Sequence, residues 1–157
     1  VVRQGLDVND VADLRREITF VVFGTPSPKG SKRGIPIRRA DGHTGVAMIE
    51  SAGDKLKDWI RRVESVVQSQ AARMPSMLEG PLAVTLDFAM PRPKAVRSDV
   101  VWHTKMPDLD KICRSTLDVC SGVLFNDDRQ IAELTARKVY VVGELAPSVN
   151  VTIRELA

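Results

Sequence analysis

Apolar and small or polar residues alternate strictly over residues 82–90. Leu82, Val84, Leu86, Phe88 and Met90 are separated by Ala83, Thr85, Asp87 and Ala89. A period of two places the five apolar side chains on one face and predicts a strand buried on that side. Pro81 introduces it, and Pro91 and Pro93 end it. Glu17–Phe23 is β-branched and aromatic and predicts another strand. Residues 131–142 and 148–156 predict two more, split by Gly143 and Pro147; in the second, Val149, Val151 and Ile153 alternate with Asn150, Thr152 and Arg154.

The period changes after residue 51. Leu56, Ile60, Val63 and Val67 fall at i, i+4, i+7 and i+11, one stripe of an amphipathic helix. Ser51 and Asp54 have N-cap and first-turn spacing, and Pro75 lies beyond its end. Residues 108–121 predict a second helix with Leu109, Ile112, Thr116, Leu117 and Cys120 on one side and Gly122 past its end. Pro26, Pro28, Gly30 and Gly34 give residues 24–34 loop or hairpin chemistry. Residues 35–49 are expected to be irregular, with Ile35-Pro36-Ile37 at most an edge strand, and residues 94–106 to be a polar connector. Residues 1–16 read as an N-terminal extension, helical near 10–16. The order β, (β), α, β, α, β, β predicts an α/β or α+β fold: a small mixed sheet with two main helices, in a single domain over 17–157.

The 157 residues suffice for one domain with its own core, and 43% hydrophobic with 27% charged residues excludes a disordered chain. No apolar run exceeds five residues and no charged segment leads into a short apolar one, so neither a membrane span nor a secretory signal is expected. Cys113 and Cys120 lie seven apart on a predicted helix, about 10 Å along its axis, which is too far for a disulfide between them. A reducing, cytoplasmic setting follows as the expectation.

The net charge of +3 is too small to indicate nucleic acid, but its distribution is uneven. Residues 29–39 carry Lys29, Lys32, Arg33, Arg38 and Arg39 with no acid. Residues 92–105 carry Arg92, Lys94, Arg97, His103 and Lys105 against Asp99 alone. Between residues 108 and 128 stand Asp108, Asp110, Asp118, Asp127 and Asp128.

Asp108 and Asp110 at a helix start have a plain structural use. Asp108 can cap, Asp110 can sit in the first turn, and Asp110 can pair with Arg114 at i, i+4. Asp127-Asp128 after a buried apolar run suggests more. If Leu124 and Phe125 return beside the helix start, one of these acids faces Asp108 and Asp110, and converging carboxylates call for a hard divalent cation such as Mg²⁺ or Mn²⁺. Asp118, about 12 Å beyond Asp110 along a helix, cannot share that ion and is expected to be exposed or paired with Arg114. Carboxylates of this kind beside basic segments suit hydrolysis of a phosphodiester.

The run Lys105-Met106-Pro107-Asp108-Leu109-Asp110-Lys111-Ile112-Cys113-Arg114, followed by Leu117-Asp118 and Phe125-Asn126-Asp127-Asp128-Arg129-Gln130-Ile131, resembles the pattern of the RusA-like Holliday junction resolvases, bacterial and phage or prophage enzymes. Pro28-Lys29-Gly30 upstream fits as well, and the resemblance covers about residues 17–155. It implies a small α/β homodimer that nicks paired strands of a four-way DNA junction with Mg²⁺ or Mn²⁺. It implies no nucleotide cofactor and a place in the bacterial cytoplasm. The family's catalytic and metal-binding acids map onto Asp108, Asp110 and Asp128, with Asp127 second-line, and its catalytic-region Lys maps onto Arg114. DNA would be gripped by Lys29, Lys32, Arg33, Arg38, Arg39 and Lys105, with Lys138 at the family's basic position on the following strand. Two residues depart from the pattern: Lys111 replaces an Asn, and Arg114 replaces that Lys. An Arg keeps its proton near neutral pH, so residue 114 would give electrostatic support and not act as a general acid. The rival readings are a DNA-binding module without cleavage and a Mg²⁺-dependent hydrolase of smaller phosphate esters. The absence of a Gly-rich loop ahead of a helix weighs against an NTPase.

Overall fold

The computed structural model describes residues 16–30, 33–49 and 53–156. The described residues form six strands and two main helices. In chain order they are β1 (Glu17–Phe23), β2 (Arg33–Arg38), β3 (Thr44–Ile49), α1 (Asp54–Ala71), β4 (Leu82–Met90), α2 (Leu109–Cys120), β5 (Ile131–Tyr140) and β6 (Ser148–Glu155). The main sheet has the order β1-β6-β4-β5. β6 pairs antiparallel with both β1 and β4, and β5 pairs parallel with β4, so the sheet is mixed and α2 is the crossover between its two parallel strands.

β4 explains why the core lies where it does. Its five apolar side chains are at most 2% exposed, while the residues between them are half-buried. Phe20 and Val22 of β1 and Val149, Val151 and Ile153 of β6 continue the same buried face. Both helices cover it. α2 contributes Ile112, Thr116, Leu117 and Cys120 as its spacing predicts, with Leu109 half-buried, and Cys113 and Ser115 are buried too. α1 buries Leu56, Trp59, Val63 and Val67, so Trp59 takes the place expected of Ile60, which is half-buried. The stripe is i, i+3, i+7, i+11, a spacing that α-helical geometry accepts equally well and that admits the larger side chain. Burial pushes the Cys113 thiol up to about 11 and the Cys120 thiol to about 12, and neither cysteine is bonded to another.

Three local expectations are corrected. First, residues 35–49 are not irregular: β2 and β3 form an antiparallel ribbon with Pro36 opposite Val46 and Gly42 (φ +83°) at its tip. Both strands of a two-stranded ribbon are edges, so the missing N–H of Pro36 costs little there. Second, α1 begins at Asp54 with Gly53 as its N-cap and no side-chain cap; Ser51 lies outside the described residues. Third, part of the connector is sheet. Residues 101–103 lie against the outer side of β5: Trp102 bridges Val139, Tyr140 N–H donates to Val101 O (2.9 Å), and His103 N–H donates to Lys138 O (3.1 Å). Arg92 organises this segment. Its guanidinium donates to the carbonyls of Arg97 (2.6 Å) and Val100 (2.9 Å) and lies over the Tyr140 ring at 5.0 Å.

Of the expected extension, helical near 10–16, all but Arg16 lies outside the described residues, and Arg16 belongs to neither a helix nor a strand. Its guanidinium meets the Glu155 carboxylate at 2.6 Å and the Met77 carbonyl at 2.7 Å, and its carbonyl accepts from Glu155 N–H (2.9 Å). Among the described residues no helix is long and apolar enough to cross a membrane.

Candidate functional site

α2 starts where the sequence places it. Asp108 is the N-cap residue, in extended conformation, and its carbonyl accepts the Ile112 N–H (3.3 Å). Its carboxylate makes no capping hydrogen bond, contrary to the simplest structural use of an Asp there. Asp110 stands in the first turn with its side chain 73% exposed, and its nearest cation is the Lys111 ammonium at 3.4 Å. The expected Asp110–Arg114 pair is replaced: the Arg114 guanidinium leans toward Asp118 at 3.9 Å. The Asp108 carboxylate is thus unused by the cap, and both acids lie in the favourable field of a helix N-terminus.

Asp128 reaches the site by another route. After α2, Gly122 (φ +78°) turns the chain; Leu124 N–H donates back to Cys120 O (2.9 Å), and Leu78 N–H donates to Leu124 O (2.8 Å). The apolar run Leu124-Phe125 therefore returns beside the end of α2, and the condition of a return beside its start is not met. A short 3-10 turn (Asp128–Gln130) follows. Asp127 caps it: its carboxylate accepts from the main-chain N–H (2.9 Å) and Nε (3.0 Å) of Arg129. Gln130 completes a capping box by accepting the Asp127 N–H (3.0 Å), and its amide donates to Gly80 O (3.0 Å). The Arg129 contacts hold the Asp127 carboxyl well below the usual range, at about 2. Asp127 is spent on the turn, and Asp128 is presented in its first position with its side chain exposed.

Asp110, Arg114, Asp118 and Asp128 line one hollow of about 880 Å³ between α2 and β5, together with Leu117, Leu134 and Ala136. Asp108 lies outside that lining. Among the described residues no three His, Cys, Asp or Glu side chains stand together so as to hold one metal ion. Asp110 belongs to the first turn of α2, whereas the turn carrying Asp128 is held through Gln130 to Gly80, ahead of β4. The donors are of the right type for Mg²⁺ or Mn²⁺, but they are not gathered as the sequence suggested.

The cations divide into three groups. Arg38 and Arg39 are exposed at the end of the ribbon, and Lys105 is exposed ahead of α2. Lys32 and the Arg33 side chain lie outside the described residues. Lys29 and Lys138 are engaged. The Lys29 ammonium meets Asp118 at 2.7 Å, each side chain 33% exposed, while Ser115 Oγ donates to Ser27 O (2.7 Å); the basic loop is thereby stitched to α2. Asp118 is therefore paired with Lys29 as well as approached by Arg114. The Lys138 ammonium donates to the carbonyls of Lys105 (2.7 Å) and Pro107, on either side of the cis Met106-Pro107 bond. Beside it, burial and the charges of Lys138 and Lys105 push the His103 imidazole below its usual pKa, its ring tilted against Tyr140 at 4.7 Å. Sequence reading passed over Ser115 and the carbonyl-binding role of Lys138. Asp127-x-x-Gln130 is a capping-box spacing and was open to view.

A family model described as Endodeoxyribonuclease RusA matches residues 27–154. No curated protein matches the chain.

Proposed function

This chain belongs to the RusA endodeoxyribonuclease family, and on that premise we propose that it nicks four-way DNA junctions by hydrolysis of a phosphodiester in each of two paired strands. The observation that carries the reading is the hollow beside α2, lined by Asp110, Arg114, Asp118 and Asp128. Asp110 is the carboxylate assigned to orienting an attacking water, and Asp128 lines the same hollow. The Arg114 guanidinium supplies positive charge where negative charge builds on the attacked phosphate. Asp108, its carboxylate unused by the helix, completes the acidic set. Arg38 and Arg39 on the ribbon, with Lys105 nearer the acids, bind the phosphate backbone. Two symmetric cuts need two sites related by a two-fold axis, which a homodimer supplies. A Mg²⁺ or Mn²⁺ requirement belongs to the same proposal and rests on donor type alone, because the aspartates as they stand do not converge.

The test uses a labelled four-way junction and a matched linear duplex, each with Mg²⁺ or EDTA, wild type beside Asp110→Asn. Paired nicks in the junction only, abolished by EDTA and by the substitution, are expected. The variant should bind the junction at least as well as wild type, since one carboxylate fewer repels the phosphates. Junction binding with no nick in any divalent metal would leave a non-cleaving DNA-binding module. Neither binding nor nicking would redirect attention to small phosphate esters.

A further inference from the structure

Lys138 sits near the end of β5, opposite Phe88 on the helix-covered face of the sheet. An exposed lysine on a DNA-binding protein ordinarily keeps its ammonium in water, ready for phosphate. This one turns inward. Its ammonium donates to the carbonyls of Lys105 and Pro107, and its own carbonyl accepts the His103 N–H at 3.1 Å. One residue thus grips the strap that leads into α2 at three points, 103, 105 and 107. The next residue is Asp108. Among the described residues its ammonium makes no ion pair, and its hydrogen bonds run to these two carbonyls. A charge-assisted bond to a carbonyl is worth more than a neutral one, and two of them on alternate residues fix the direction of the chain between them.

We infer that Lys138 is a positioning residue: it fixes the 105–107 segment so that Asp108 and the first turn of α2, with Asp110, stand at a set angle to the hollow. This rests on the proposed reaction for its kinetic consequence but not for its structural one. A misplacement of about 1 Å in a reacting group costs on the order of 100-fold in rate. Lys138 does not touch substrate in this account, which separates it from Arg38, Arg39 and Lys105.

Lys138→Met keeps the length of the side chain and removes the donors. It should lower kcat on the junction about 100-fold. KM, and the slope of log affinity against log salt measured in EDTA, should stay as in wild type. Lys138→Arg, which can still reach two carbonyls with a forked cation, should recover most of kcat. In backbone NMR the Met variant should shift the amide signals of residues 105–110 and speed hydrogen exchange at Ile112, whose N–H is bonded to Asp108 O. A slope shallower by about 0.9 with kcat unchanged would make Lys138 a phosphate contact and overturn the inference. Unchanged amide signals over 105–110 would overturn it as well. If the wild type nicks no branched DNA, the proposed reaction fails, and the amide signals alone decide the role of Lys138.

Discussion

Asp127 accepts two hydrogen bonds from Arg129, and its carboxyl is held at about 2. The group is more acidic folded than unfolded, so its contribution to stability is fully present above the ordinary carboxylate range and is lost as pH falls through about 2. An NMR titration of the side-chain carboxyl should therefore find its midpoint near 2 in wild type and closer to the ordinary value in Arg129→Ala. An unchanged midpoint would mean that the cap, not the guanidinium, sets the acidity. The same contacts separate the neighbouring acids by function. Asn caps a helical turn about as well as Asp. Asp127→Asn should thus retain most nicking activity, while Asp128→Asn should abolish it. The pair Asp127-Asp128 was legible in the sequence as a pair. The division of labour was less so, because which acid turns inward depends on the backbone angles of the turn. Asp108 shows the same limit: its place at the N-cap was readable, but not that its side chain leaves the cap unmade.

Elements with an apolar period were legible, and the β2–β3 ribbon was not. β4 and β6 alternate because one side of each meets the helices, and α2 carries its stripe for the same reason. The β2–β3 ribbon has no such obligation: residues 36–44 are exposed, so no apolar period marks it, and Pro36, Gly42 and Gly45 read as loop. A two-stranded ribbon is of a size to enter a major groove. Replacing Arg38 and Arg39 together by Ala should weaken junction binding and make its salt dependence shallower by about 1.8, roughly 0.9 for each phosphate no longer neutralised. The rate of nicking at saturating protein should be little changed. An unchanged slope would move the grip to Lys105 and the body of the fold. For α1 the decisive side chain is Trp59, wholly buried against the sheet. Trp59→Ala should cost about 3–5 kcal/mol in chemical denaturation, the usual loss for a large aromatic removed from a packed core. The spacing of α1 pointed to Ile60 instead, because an aromatic beside an aliphatic stripe can sit on either flank until the facing sheet is known.

At the scale of the molecule, the proposed symmetric cut needs a second copy, and the sheet has an edge that could receive one. β5 is an outer strand, covered by residues 101–103 only near its end. There Tyr140 N–H and Lys138 O point outward to that segment, so the even-numbered residues of β5 turn their main-chain groups away from β4. Leu134 and Ala136 continue that row, and Leu134 is 48% exposed. Antiparallel pairing of two such edges about Thr135 would set Leu134 of each copy against Ala136 of the other and Glu133 against Arg137, apolar on one face and opposite in charge on the other. It would also bring the two hollows to the same face, each lined by Leu134 and Ala136 beside the axis. Proline discriminates the two sides of this strand. Ala136→Pro removes an outward donor and spares the ladder to β4, whereas Thr135→Pro breaks that ladder. Sedimentation should show a dimer for wild type and a folded monomer for Ala136→Pro, and the monomer should nick junctions without pairing its cuts. A variant still dimeric would place the interface on another surface, with the apolar residues around Phe23, Met106 and Leu145, all more than 60% exposed, the next to test.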